Sequence, residues 1–197
     1  MKDIREQLSL KFPIMKQKVG RIIQPQEDFL SVLLENNKPR TLILLCGVEG
    51  SGKTTFAQKH LGGYTVINLD DILIKYLDTH KFTGSPKQNE ELNNIFFTKA
   101  TQGLEKGVTI LDCANHDMLF RGTTLEKLKP YYDKVIVFVF NPDYKTIVGR
   151  IQKQIALRMR PNLFQDVATQ YSVFQYQITH HILELGVDEV HFLTSST

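Results

Sequence analysis

Five short apolar runs are spaced along the chain, and longer segments with helical periodicity separate them. Two runs, 42–46 and 134–140, are apolar at nearly every position, which is typical of strands buried on both faces of a sheet. Strands that alternate with helices predict a parallel sheet covered by helices on both faces. The predicted strands are 42–46, 64–68, 108–111, 134–140 and 189–193, and the predicted helices begin near 53, 70, 89, 123, 143 and 164.

The first 38 residues precede the first predicted strand. Pro25 opens a segment with acidic residues in its first turn, where the helix dipole favours them. We therefore predict a helical arm over 1–38 that packs on a domain spanning 39–197. The basic residues of this arm form either a solvated face or a contact with nucleic acid; they are Lys11, Lys16, Lys18 and Arg21.

The composition is that of an ordinary soluble domain. The 197 residues include 42% hydrophobic and 23% charged residues, and the net charge of +3 permits a polyanionic partner without requiring one. No apolar run has the length of a membrane span, and the N-terminus lacks the apolar stretch of a signal peptide. We expect a cytoplasmic protein without a membrane partner. Cys46 and Cys113 each end a predicted strand, and we interpret both as small buried residues.

The first strand runs directly into G-x-x-x-x-G-K-T, from Gly47 to Thr54, and a helix follows. Strand, glycine-rich loop and helix in this order predict a P-loop, whose backbone N–H groups surround the phosphates of a nucleoside triphosphate. Lys53 is expected to reach the β- and γ-phosphates, and the Thr54 hydroxyl to bind Mg²⁺. The donor is ATP or GTP. The predicted nucleotide-binding residues are Gly47, Glu49, Gly50, Ser51, Gly52, Lys53, Thr54 and Thr55.

Carboxylates follow the second and third predicted strands, at the sheet edge where ligands bind in such folds. Transfer of a phosphoryl group to a hydroxyl needs a carboxylate that accepts the hydroxyl proton. Asp70 comes directly after the second strand, as such a base would. Because Asp70 or Asp71 is expected to cap the following helix, one acid has a catalytic and the other a structural role. Asp112 follows the third strand and is predicted to contact the metal or its bound water.

Arginines lie on and after the helix that follows the fourth strand. Small P-loop kinases close an arginine-bearing lid over the phosphates, which stabilises charge in the transition state. Arg150, Arg158 and Arg160 are the candidates, in a lid around 150–162. The sequence leaves open which of the three acts and which is a surface charge.

Several segments together resemble the polynucleotide 5′-hydroxyl kinases, which include kinase modules of phage and bacterial end-healing enzymes and of tRNA ligases. The similar segments are G-V-E-G-S-G-K-T-T-F-A, V-I-N-L-D-D-I-L and I-L-D-C-A-N-H, and then a strand ending in N-P before a helix with Arg150. The resemblance implies that Asp70 is the general base. It also implies that Asp112, Asn115 and Arg121 belong to the loop that handles the acceptor or the metal. We add Asp71 and His116 as candidate substrate-binding residues and place Thr54 and Asp112 on the metal.

The chain also departs from this family. Some members carry arginines around the paired acids that grip the acceptor strand, and here the positions are Leu69 and Leu73. Zeta-toxin-like and small-metabolite kinases share part of the pattern. For His116, a contact to an acceptor phosphate and a plain polar loop position are both open.

We therefore predict a three-layer α/β P-loop kinase with five parallel strands in the order 2-3-1-4-5. It is expected to move the γ-phosphate of a nucleoside triphosphate to the 5′-hydroxyl end of RNA or DNA, with Mg²⁺. A kinase for a small metabolite or nucleotide-sugar is the first alternative. A regulatory P-loop protein is the second, and a catalytic base argues against it.

Overall fold

The computed structural model describes residues 22–23, 39–78, 83–156, 167–180, 182–184 and 186–193. The strands are β1 (Ile22–Ile23), β2 (Thr41–Cys46), β3 (Thr65–Asn68), β4 (Thr109–Asp112), β5 (Lys134–Phe140) and β6 (Glu189–Leu193). The helices are α1 (Lys53–His60), α2 (Leu69–Leu77), α3 (Pro86–Lys106), α4 (Met118–Leu128), α5 (Tyr144–Ala156) and α6 (Val167–Thr179). Two short 3₁₀ helices, Lys129–Tyr131 and Ile182–Glu184, complete the described elements.

The strands form one parallel sheet in the order β1-β6-β5-β2-β4-β3. The five predicted strands lie in the predicted order, with β2 at the centre, and the prediction of a parallel α/β sheet is confirmed. The sixth strand, β1, was not predicted; it extends the sheet by pairing Ile22 with Phe192 of β6. The rest of the predicted helical arm lies outside the described residues.

The central strand explains why helices cover both faces of the sheet. All six residues of β2 are buried, and successive side chains of a strand point to opposite faces. Leu42 and Leu44 pack in a core with side chains of α2 to α6, whereas Ile43 and Leu45 pack with Phe56 of α1 on the other face. Full burial of each leucine or isoleucine contributes roughly 1.5–3 kcal/mol. The predicted three layers follow from this two-sided burial.

The helices differ from their predicted bounds where local caps decide. α3 begins at Pro86 because Ser85 accepts a hydrogen bond from the Gln88 N–H, and it ends at Lys106, just before Gly107, which has a φ of 133°. α4 begins at Met118, earlier than predicted, because Asp117 caps it. The described part of the helix predicted to begin near 164 is α6, which ends at Thr179. Across the described ranges, no helix combines the length and apolar character needed to cross a membrane.

Candidate active site

The loop between β2 and α1 approaches its neighbours so closely that two positions require glycine. A Cβ atom at Gly47 would lie 2.6 Å from the carbonyl oxygen of Phe140 and 2.6 Å from Ser51 Oγ. Gly50 has a φ of 74°, in the left-handed region, and a Cβ there would lie 2.8 Å from Cγ1 of Ile151. The loop is therefore held between the end of β5 and the side of α5.

The start of α1 has no anionic group of its own. Gly52 precedes the helix and provides no side-chain cap, and the first turn contains no acidic residue. The N–H groups of this turn and the positive end of the helix dipole are thus suited to an external anion. Thr55 is exposed in the same turn, and Glu49 is half-buried in the loop.

Two polar side chains of the loop are oriented for phosphate. Lys53 Nζ donates hydrogen bonds to the carbonyl oxygens of Gly47, at 2.7 Å, and Val48, at 3.1 Å. Burial lowers the pKa of this lysine, and the charge of Asp112 partly offsets the effect. Ser51 is buried, and its Oγ has no hydrogen-bond partner among the described residues. A phosphate oxygen would satisfy both groups.

Asp112 lies at the end of β4 and is 3% exposed. Its Oδ2 accepts a hydrogen bond of 2.7 Å from Nδ2 of Asn68. Burial raises the pKa of Asp112, whereas the nearby Thr54 hydroxyl, the charge of Lys53 and the Asn68 amide lower it. The carboxylate therefore lies between the start of the P-loop helix and the end of β3.

Asp70 and Asp71 lie exposed in the first turn of α2. The expectation that one of them caps the helix is wrong, because the cap is Asn68, whose Oδ1 accepts a hydrogen bond of 3.1 Å from the Asp71 N–H. A cap residue needs an extended backbone, which the end of β3 provides at Asn68. Asp70 lies close enough to Asp112 for its charge to raise the pKa of that carboxyl.

The loop after β4 is tied into the sheet by Asn115, which is fully buried. Its Nδ2 donates to the carbonyl oxygens of Leu45, at 3.1 Å, and Leu111, at 2.8 Å, and so joins β2 to β4. Arg121 of α4 is 2% exposed and donates from Nη1 to the Asn115 carbonyl oxygen at 2.6 Å. Both side chains therefore lie inside the scaffold that carries this loop, and their contact with an acceptor stays a prediction.

The two cysteines converge on the same asparagine. Cys46 Sγ donates to the Asn115 carbonyl oxygen at 3.0 Å, and Cys113 Sγ donates to Oδ1 at 3.3 Å. Both are free and buried, and burial raises the pKa of each thiol. The interpretation of both as small buried residues is confirmed.

His116 is half-buried in the loop after β4. Burial and the charge of Lys53 lower its pKa to about 4, so the imidazole is neutral near pH 7. Its Nδ1 is buried and has no hydrogen-bond partner among the described residues. A neutral imidazole beside the P-loop lysine suits a hydrogen bond to a ligand better than an ion pair.

Arg150 reaches the P-loop from α5. Its Nη1 donates to the carbonyl oxygens of Ser51, at 3.1 Å, and Gly50, at 3.4 Å. The guanidinium thus lies beside the P-loop backbone, and its role as a lid arginine stays a prediction. Arg158 and Arg160 lie outside the described residues, and their role stays a prediction.

The residues at this edge fit Mg²⁺. This ion is usually held by one or two carboxylates together with substrate phosphates and water, so it needs no larger protein cluster. Within the described ranges, no group of three or more His, Cys, Asp or Glu side chains is placed to hold a metal. Thr54 and Asp112 lie close enough for the hydroxyl to lower the pKa of the carboxyl, and they offer the hydroxyl and carboxylate that would hold Mg²⁺.

Sequence reasoning missed Asn68, which contacts both carboxylate-bearing segments. Its signal was present: an asparagine immediately before the helix at the end of a strand is a preferred cap. Asp70 and Asp71, which follow within three residues, are equally favourable cap residues, so the sequence alone does not single out Asn68.

Comparison with known proteins gives a family and a fold. A family model described as an AAA domain (AAA_33) matches residues 42–170. No curated protein matches the sequence at a significant level. A chain in the structure of the Pnkp1/Rnl/Hen1 RNA repair complex superposes with a TM-score of 0.60 and 21% identity, over 74% of this chain and 48% of that one. The protein thus spans about half of that chain's length.

The match to a second solved structure extends over most of both chains. That structure is a candidate kinase from Chloroflexus aurantiacus J-10-fl, with a TM-score of 0.55 and 14% identity, over 81% of this chain and 90% of that chain. At these identities the likeness to both structures is one of fold.

Proposed function

The chain belongs to the AAA_33 family of AAA domains, and from this premise we propose that it phosphorylates the 5′-hydroxyl end of RNA or DNA. It is a P-loop kinase in its fold and phosphate loop. One observation carries the finer proposal: Asp70 lies in the first turn of α2, and both its charge and the P-loop Thr54 hydroxyl are close enough to Asp112 to shift the pKa of that carboxyl. An acceptor hydroxyl at Asp70 would therefore lie at the same edge as the donor phosphates.

The proposed transfer is an in-line displacement. Asp70 accepts the proton of the 5′-hydroxyl, whose oxygen attacks the γ-phosphorus. The bond from the γ-phosphorus to the β–γ bridging oxygen breaks, which leaves a nucleoside diphosphate and a 5′-phosphate end. Lys53, Arg150 and the N–H groups of α1 hold the phosphates and stabilise the charge that develops on them. Thr54 and Asp112 would hold Mg²⁺, which neutralises phosphate charge when bound.

Two observations support a polynucleotide acceptor. The loop after β4 carries the D-x-x-N-H pattern, from Asp112 to His116, that resembles tRNA-ligase kinase modules. The RNA repair complex also contains a chain of the same fold.

One observation favours a small acceptor instead. Leu69 and Leu73 stand where some polynucleotide kinases carry arginines, and both are partly buried against the main core. They contribute to packing and offer no charge to a nucleic-acid backbone. A small-metabolite kinase is therefore the second candidate.

A transfer assay distinguishes the two candidates. The protein is incubated with Mg²⁺ and γ-labelled ATP or GTP, and with 5′-hydroxyl RNA, 5′-hydroxyl DNA, the same oligonucleotides with 5′-phosphates, or a pool of small metabolites. The proposal expects label on the 5′-hydroxyl oligonucleotides and none on the blocked ones. Label only in the metabolite pool would support the second candidate, and label only as free phosphate would refute both.

A further inference from the structure

The register of two strands brings an amide next to the carboxylate on the metal side. β3 and β4 are parallel, and Asn68 pairs with Asp112 at their carboxyl ends. Adjacent strands are about 4.8 Å apart, so side chains on one face can meet. Nδ2 of Asn68 reaches Oδ2 of Asp112 at 2.7 Å. The contact is therefore built by the sheet and does not depend on a loop.

The other end of the same amide holds a helix. Oδ1 of Asn68 accepts a hydrogen bond of 3.1 Å from the Asp71 N–H and thereby caps α2. This first turn carries Asp70, the proposed base. One planar group thus contacts the metal-side carboxylate and the segment that carries the base.

We propose that Asn68 is a positioning residue that fixes Asp112 for Mg²⁺ and sets the start of α2 relative to it. The claim that Asn68 fixes Asp112 requires only that the protein binds a nucleotide and Mg²⁺. The claim that Asn68 sets the start of α2 rests on the proposed function. The hydrogen bond from Asn68 to Oδ2 orients the Asp112 carboxylate. Without the amide donor, a nearly buried carboxylate oxygen loses its partner and the side chain is free to turn.

Few side chains can replace this amide. Aspartate caps a helix but has no proton to donate and adds a second negative charge beside Asp112. Serine also caps, but its hydroxyl is one bond shorter and cannot span both contacts. Alanine removes both. Comparing serine with alanine at position 68 therefore distinguishes the effect of losing the helix cap from the effect of losing the hydrogen bond to Asp112.

The test compares Asn68→Ser and Asn68→Ala with wild type and with Asn93→Ser, an exposed asparagine on α3. Calorimetry measures ATP affinity in EDTA and then across a Mg²⁺ titration, with the thermal midpoint of each protein measured beside it. N68S is expected to bind ATP in EDTA as wild type does, whereas the apparent Mg²⁺ affinity of the ATP complex falls 10–100-fold. N68A is expected to show the same Mg²⁺ defect and a lower Tm than N68S.

Each outcome decides the inference. A Mg²⁺ response of N68S equal to those of wild type and N93S would overturn it, as would a wild-type protein whose ATP binding does not respond to Mg²⁺. No acceptor enters this experiment. A Mg²⁺ defect in N68S, in a protein that phosphorylates no oligonucleotide, would support the role of Asn68 while refuting the proposed function. In a transferring protein, N68A is expected to lower kcat further than N68S, with a smaller change in acceptor KM.

Discussion

At the scale of single residues, the site is organised around Lys53. Its ammonium is held on two carbonyl oxygens of the loop, and its charge acts on Asp112 and His116. A phosphate that enters the loop would compete for this ammonium and gain a charge-assisted hydrogen bond. The lysine is therefore a structural element of the P-loop, and we expect it to be the main cation for the donor phosphates.

Replacing Lys53 by alanine is expected to weaken Mg·ATP binding and to slow phosphoryl transfer by roughly 10²–10³-fold. The physical reason is the loss of a preorganised cation at the site where negative charge develops. Calorimetry and the transfer assay measure the two effects. Lys59→Ala, an exposed lysine near the end of α1, is the matched control and is expected to behave as wild type. Transfer by K53A at the wild-type rate would contradict the role assigned to the P-loop.

His116 predicts a pH dependence of stability. Its pKa is lowered to about 4 in the folded protein, whereas an unfolded histidine titrates near 6.5. Between these values the unfolded chain binds more protons, so stability falls as the pH drops from 6.5 towards 4 and the effect is absent above 6.5. From pH 7 to pH 5, wild type is expected to lose about 1–2 kcal/mol more than His116→Asn, as measured by urea unfolding. Equal losses would show that His116 is not held neutral.

At the scale of elements, the P-loop depends on its contact with α5. Gly50 has a φ of 74° and leaves no room for a Cβ next to Ile151, whereas Gly149 of α5 is exposed and has nothing within 4 Å of its added Cβ. The two glycines therefore predict opposite effects of the same substitution.

Gly50→Ala is expected to cost about 2–4 kcal/mol, from the left-handed backbone and the clash with α5. Gly149→Ala is expected to stabilise the protein by about 0.5–1 kcal/mol, because alanine is the better residue inside a helix. Urea unfolding measures both changes. A neutral G50A variant would mean that the loop can move away from α5.

The loop after β4 depends on Asn115, which joins β2, β4 and Arg121 of α4. Asn115→Ala leaves the buried carbonyl oxygens of Leu45 and Leu111 without this donor, so we expect a loss of about 2–4 kcal/mol. Asn93→Ala on the exposed face of α3 is the control for urea unfolding. If N115A kept full stability and changed only the acceptor KM, Asn115 would be a direct acceptor contact and not a part of the scaffold.

At the scale of the whole molecule, the features that depend on contiguous residues, namely the buried strands and the P-loop, could be predicted from the sequence. β2 and β5 are buried on both faces, so their apolar runs gave bounds within one residue. The P-loop was predictable because all of its groups are contiguous. The two-residue strand β1 was not, because it has no periodicity and exists only by pairing with β6.

The rest of the site depends on contacts between distant segments. The family resemblance suggested Arg121 as an acceptor or metal residue, but it could not show that the side chain is buried and donates to the Asn115 carbonyl oxygen. The cap of α2 depends on where β3 ends. Asn68 is the cap, two residues before Asp70, the first of the two acids predicted to cap the helix. Neither feature is visible in periodicity or composition.

The proposed reaction is tested most directly by 5′-phosphorylation of an RNA oligonucleotide by wild type and Asp70→Asn, followed by mass spectrometry. ATP affinity is measured for both proteins. Wild type is predicted to add one phosphate to the 5′-hydroxyl. D70N is predicted to bind ATP with nearly unchanged affinity and to transfer at least 10²-fold more slowly, because it cannot accept the hydroxyl proton. Transfer by D70N at a near wild-type rate would contradict the assignment of the base, and the absence of any 5′-phosphorylated product from wild type would contradict the proposed reaction.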